Sequence, residues 1–163
     1  MRDLLTVLKK HSPVPCGIKM RLGMNSKEKK NKIYLRVIEI ANELKLDWVT
    51  VHPKTADQGS QEPIDFIALK EIIELAKIPI IGNGFVKDKL SAQKMFNLGC
   101  KGVMVARAAI GNPWIFNEIK GNKVNKNYNK AFEGTFTGYF TSNFDKTYAR
   151  SYSAAYLKDY INT

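Results

Sequence analysis

Residues 78–107, IPIIGNGFVKDKLSAQKMFNLGCKGVMVAR, decide the fold. A short β-branched run (78–81) closes on Gly82-Asn83-Gly84. A helical pattern (88–98) follows and stops at Gly99, a natural left-handed cap. A second apolar run (102–105) then ends at Ala106-Arg107. Strand, loop, helix and strand in that order form one unit of a parallel sheet, because parallel strands need a long crossover and a helix usually supplies it.

The same unit repeats upstream. Residues 48–51 read as a strand ending at His52. A polar loop (52–62) follows, with Gly59 as its hinge candidate. Pro63 sits where a helix can start, and 64–76 continues as that helix. Before it, 16–20 reads as a strand and Ser26 as the cap of a helix over 27–45. Residues 2–10 have helical spacing, ended by Pro13 and Pro15. After Arg107 a short helix should begin near Ala106 and run through Pro113-Trp114-Ile115-Phe116.

This alternation predicts the α/β class, with helices covering a parallel sheet. The strands are near-continuous apolar runs, as expected if both faces are buried. Lys19, His52, Asn83 and Arg107 each close a strand at near-regular intervals, which places them on one rim. That rim is the active face of a (β/α)8 TIM barrel, which needs eight strands and about 250 residues. The chain has 163 residues, so the expectation is about the last four βα units. From Gly121 the texture changes. Asn and Lys dominate 122–130, which reads as a linker. Residues 145–161 are helix-compatible, with Tyr148, Tyr152, Tyr156 and Tyr160 roughly on one face. The expected division is therefore a half-barrel over 1–120 and a linker with the start of a C-terminal helical segment over 121–163.

An apolar share of 44% suits a soluble globular chain, and no run approaches the roughly 18 apolar residues of a membrane helix. Met1 is followed by charged Arg2 and Asp3, unlike a secretory leader. Cys16 and Cys100 have no metal-ligand spacing and read as reduced packing residues, which points to the cytoplasm. The net charge of +11 is spread along the chain. It favours a polyanionic partner such as RNA, although a lysine-rich proteome gives the same balance.

The strand ends carry the candidate chemistry. Ala106-Arg107 enters a helix start, where unpaired N–H groups and the dipole favour a phosphate, and Arg107 would add a forked donor. Gly82-Asn83-Gly84 is small enough for backbone N–H groups to approach phosphate oxygens, though it is also an ordinary turn. Lys19 and Arg21 share one strand parity and can both face the barrel mouth; a solvent-exposed strand-end Lys is the plainer alternative. His52 is followed by Pro53, Lys54, Thr55 and Gln58, a dense polar set on the expected rim.

Taken together, these segments resemble the C-terminal half of a tRNA-dihydrouridine synthase. Ile18-Lys19-Met20-Arg21-Leu22-Gly23 is similar to that family's fifth strand. Val51-His52-Pro53-Lys54-Thr55 with Gln58-Gly59 is similar to its sixth, with Lys54 where Arg is more usual. Ile80-Ile81-Gly82-Asn83-Gly84 resembles its seventh. Gly102 through Ala108, with Gly111-Asn112-Pro113-Trp114, resembles its eighth strand and phosphate helix. The resemblance covers about 10–119. It implies a TIM barrel that uses NADPH to reduce FMN, and reduced FMN to convert uridine to dihydrouridine in tRNA. It also implies flavin contacts from Lys19 and His52, and an FMN chain and phosphate held by Asn83, Gly84, Ala106 and Arg107, with backbone contacts at Phe85. Arg21, Lys54, Thr55 and Gln58 would face the substrate, and the basic surface would meet tRNA.

The family's general acid is a cysteine in the N-terminal half of the barrel, and neither Cys16 nor Cys100 matches it. The expectation is that this chain alone is inactive. A separate N-terminal half, or self-association, would cover its open strand edges. Two other readings stand beside this one. One is an FMN-binding barrel of the dihydroorotate dehydrogenase kind, against which the His-Pro-Lys-Thr segment with Gln58 argues. The other is a non-catalytic half-barrel that binds RNA.

Overall fold

A computed structural model describes residues 1–126. Its elements are α1 (Arg2–His11), β1 (Gly17–Arg21), α2 (Ser26–Lys30), α3 (Ile33–Glu43), β2 (Trp48–His52), α4 (Phe66–Leu75), β3 (Ile80–Asn83), α5 (Lys89–Leu98), β4 (Gly102–Met104) and α6 (Ile115–Lys120), with a 3-10 turn at Arg107–Ala109. The four strands form one parallel sheet in the order β1-β2-β3-β4. The class expected from the sequence is the class observed: consecutive βα units laid side by side, as in the wall of a TIM barrel. The end of the expected linker and all of 145–161 lie outside the described residues.

Register explains which side chains reach the site. Lys19 pairs with Thr50 and Arg21 with His52, while Asn83 pairs with Met104. Side chains alternate along a strand, so these residues share one face. Val49, Val51 and Ile80 occupy the other face and are buried in the core with Ile38, Leu69 and Ile72 of the helices. A Cβ at Gly82 would lie 3.0 Å from both Cys100 Sγ and Met95 Sδ, which confirms that helices back this second face. The sequence suggested burial on both faces. Instead the first face is only partly covered among the described residues: Thr50 and Asn83 are buried, while Lys19, Arg21, Trp48 and Met104 are exposed.

Local chemistry moves several predicted boundaries. Asn25, not Ser26, caps the first post-strand helix, by accepting the Glu28 N–H. That helix is not continuous over 27–45. Lys32 adopts φ +50, and α2 gives way to α3. The polar run before Ile33 buries nothing in α2. Beyond the break, Lys32 Nζ and Tyr34 Oη both donate to Glu71 on α4, at 2.6 and 2.8 Å. Burial, with Glu71 alongside, pushes the Tyr34 hydroxyl up to about 12. Pro63 does not start α4. Asp65 caps it through the Ala68 N–H, and Lys29 pairs with Asp65 at 2.8 Å. β3 lies two residues later than expected, so Asn83 ends the strand itself. The single short helix expected near Ala106 is two pieces, the 3-10 turn and α6.

Candidate functional site

The C-terminal ends of the four strands surround a cavity of about 650 Å³. Arg21, Lys54, Lys87 and Arg107 bring four cations to its lining, and no Asp or Glu joins them among the described residues. Arg21 Nη1 donates to the Thr55 carbonyl at 3.0 Å, so β1 and the loop after β2 form one wall. Backbone bonds from Leu22 N to Lys54 O and from Ala56 N to Gly23 O continue that wall.

Lys54 is the most constrained of these cations. It is 1% exposed, and its Nζ donates to Gly59 O and Ser60 O at 2.9 and 3.1 Å. The Phe85 ring centroid lies 4.8 Å from the same nitrogen. A buried ammonium needs such partners to offset lost hydration. The effect is to pin the loop after β2 over the cavity. Thr55 donates its N–H to Gln58 Oε1 and its hydroxyl to Asp57 Oδ1, and Gly59 N–H donates to Glu62. Gly59 and Gln58 hold the Glu62 carboxyl below the usual carboxylate range.

His52 occupies the centre of the rim. Burial lowers its pKa to about 4, assisted by the charges of Arg21, Lys19, Lys54 and Arg107. The imidazole is therefore neutral at physiological pH, with one donor and one acceptor nitrogen. Gly84 lets it sit there. Its φ is +120, and a Cβ would come within 3.0 Å of His52 Cδ2 and of Ile64 Cγ2. Asn83 is 8% exposed and donates to Met104 O at 3.1 Å, which joins the ends of β3 and β4. Phe85 adopts φ +54, unusual for an aromatic residue, and Arg107 Cζ lies 5.9 Å from its ring centroid.

The structure brings most of the sequence candidates to this cavity: Arg21, His52, Lys54, Gln58, Asn83, Gly84, Phe85, Ala106 and Arg107. It leaves Lys19 outside the lining, exposed on β1, from where it reaches His52 only through its charge. Thr55 is also turned away. It is 2% exposed and lines a separate hollow with Ser26, Asp57 and Glu62. The sequence reading missed Ser60, Gln61, Val86, Lys87 and Met104. Met104 was recoverable from strand parity, and Lys87 from its place in the loop after β3. Gln61 had no local signal.

Neither cysteine approaches the cavity. Cys16 precedes β1 at the opposite end of the sheet, where its N–H donates to Asp47 at 2.7 Å. Cys100 lies behind Gly82 on the helix-covered face, and burial pushes its thiol up to about 11.

A family model described as Dihydrouridine synthase (Dus) matches residues 1–159. Among curated proteins, the chain is 35% identical over 121 residues to a probable tRNA-dihydrouridine synthase of Aquifex aeolicus (strain VF5), covering 74% of this chain and 36% of that one. It is 38% identical over 113 residues to a tRNA-dihydrouridine(16) synthase of Shigella flexneri, covering 68% and 34%. It is 28% identical over 121 residues to tRNA-dihydrouridine synthase B of Klebsiella pneumoniae, covering 74% and 37%. The chain thus spans about a third of the length of the curated relatives it matches.

Proposed function

The chain belongs to the dihydrouridine synthase family, and we propose that it forms the cofactor-gripping half of an FMN-dependent tRNA-dihydrouridine synthase. The observation that carries this reading is the cavity itself, with four cations and no carboxylate in its described lining. Such a site suits a ligand bearing phosphate. FMN fits the residues present. Asn83, Gly84 and Phe85 put backbone on the cavity lining beside His52, and Arg107 and Ala106 follow the last strand as in barrel phosphate sites.

Bound FMN, reduced by NADPH, would supply the hydride for uridine. Arg107 and the backbone from Asn83 to Phe85 would hold its phosphate chain. His52, neutral, would offer hydrogen bonds to the flavin without adding charge. Arg21 and Gln58, both on the cavity lining, would face the uridine and its backbone. Lys54 would act chiefly by holding the loop at 57–62 in place. The basic surface would meet the tRNA phosphates. Lys19 would contribute through its field, and Thr55 by shaping its loop.

No cysteine lies at the cavity, so no thiol of the described residues can deliver a proton there. The 163-residue chain alone should bind FMN yet reduce no uridine. Flavin fluorescence would follow binding, and dihydrouridine formation with NADPH, FMN and tRNA would test activity. Turnover by the chain alone would refute this division of labour. Among the described residues β1 and β4 are the sheet's outer strands. A separate N-terminal half or a second copy would cover them. Light scattering that showed a stable monomer would count against self-association.

A further inference from the structure

A second groove, of about 420 Å³, opens beside the cavity. The two share Gln61, Gly84, Phe85 and Lys87, so Phe85 is the wall between them. Buried Ile64 and Met95 form the groove's apolar floor. Phe66, the first residue of α4, is 41% exposed, and Phe85 is 39% exposed. Ser91 and Lys94 face the groove from α5, one turn apart. No Asp or Glu lines it among the described residues. Asp88 stands close by, but its carboxylate accepts the Ser91 N–H and hydroxyl as the cap of α5.

We propose that this groove holds a nucleotide next to the one in the cavity, with its base against Phe66 and its phosphate between Lys87 and Lys94. Aromatic faces combined with lysines are the chemistry of single-stranded nucleic acid sites, where stacking is tolerant of sequence and cations track the backbone. An acidic peptide would use the lysines but gain little from a flat ring. The groove's volume falls in the range of small-ligand sites. The two hollows adjoin through shared lining residues, so one strand can occupy both. The proposal rests on the tRNA reading and deepens it, since it names where the flanking nucleotide sits.

The test uses the 163-residue chain and a labelled single-stranded heptauridylate, with binding read by fluorescence anisotropy. FMN binding, read by flavin fluorescence, is the internal control. Phe66→Ala should weaken RNA binding about tenfold. Lys94→Gln should weaken it about threefold and reduce the slope of log K against log salt by about 0.7. Both variants should keep their FMN affinity. Phe66→Leu retains apolar volume without a stacking face, and should lose RNA binding as Phe66→Ala does. Rescue by Leu would show a packing role and overturn the proposal. So would unchanged RNA affinity in both alanine and glutamine variants, or an equal loss of FMN binding. If the unsubstituted chain bound FMN but no RNA, the tRNA reading itself would fall, and the groove with it.

Discussion

The two flanks of the cavity are built differently. The flank after β2 is closed on itself: Lys54 is buried against two carbonyls and a ring, and Thr55, Gln58, Gly59 and Glu62 satisfy one another. The flank after β4 is thinner. β4 is three residues long at the edge of the sheet, a 3-10 turn replaces a full helix, and Arg107 stands exposed over Phe85. Near it, the buried Asn112 Oδ1 has no hydrogen-bond partner among the described residues. One flank spends its polar groups on its own shape, while the other leaves the Arg107 cation exposed at the cavity. Under the proposed function, the first flank would be preorganised and the second would supply the charge that meets a phosphate.

The largest expected effect tests the first flank. Lys54→Met keeps most of the buried volume but strands the Gly59 and Ser60 carbonyls. It should destabilise the chain by about 2–4 kcal/mol, measured by denaturant unfolding. Arg107→Gln should do the reverse: stability within about 0.5 kcal/mol of the parent, but FMN affinity reduced about tenfold. If Lys54→Met left stability intact while Arg107→Gln lowered it, the contrast between the flanks would be mistaken.

Gly84 joins the two flanks. At φ +120, Gly84→Ala strains the backbone and drives a Cβ to 3.0 Å from His52 and Ile64. About 1–3 kcal/mol of lost stability is expected, together with weaker FMN binding as His52 is displaced. A variant that bound FMN normally would show that the close packing of Gly84 on His52 is not needed.

The βα alternation was legible because each strand is a short β-branched run and each helix a periodic one. Gly99 and Asp88 marked the ends of α5, as the left-handed φ at Gly99 and the capping box at Asp88 bear out. The rim residues were legible because a polar side chain follows each run. Three things were not. The break at Lys32 has no local signal, and the Glu71 that accepts from both Lys32 and Tyr34 lies some forty residues away. The retreat of Thr55 from the cavity depends on Asp57 and Gln58 offering closer partners. The partial exposure of one sheet face depends on what packs there, and no strand pattern records that.

The smallest expected effect concerns His52 and the charges around it. Its folded pKa of about 4 lies below the usual value of about 6.5. The unfolded chain therefore holds the extra proton between those values. The stability contributed by neutral His52 is full above about pH 6.5 and is lost as the pH falls toward 4. Denaturant midpoints at pH 7 and pH 5 should fall in the parent and stay flatter in His52→Gln. The carboxylates with lowered pKa values, Asp47, Asp65 and Glu71 among them, lose their contribution at lower pH and do not blur this window. Parallel curves would remove His52 from the account. Within the same window Lys19→Gln separates field from contact. Lys19 lines no part of the cavity, yet its charge helps hold His52 neutral. The substitution should raise the His52 titration midpoint slightly in an NMR titration and leave FMN affinity almost unchanged. A large loss of FMN binding would instead place Lys19 in direct contact with the ligand, and the thinner flank would then not be the only one that waits for it.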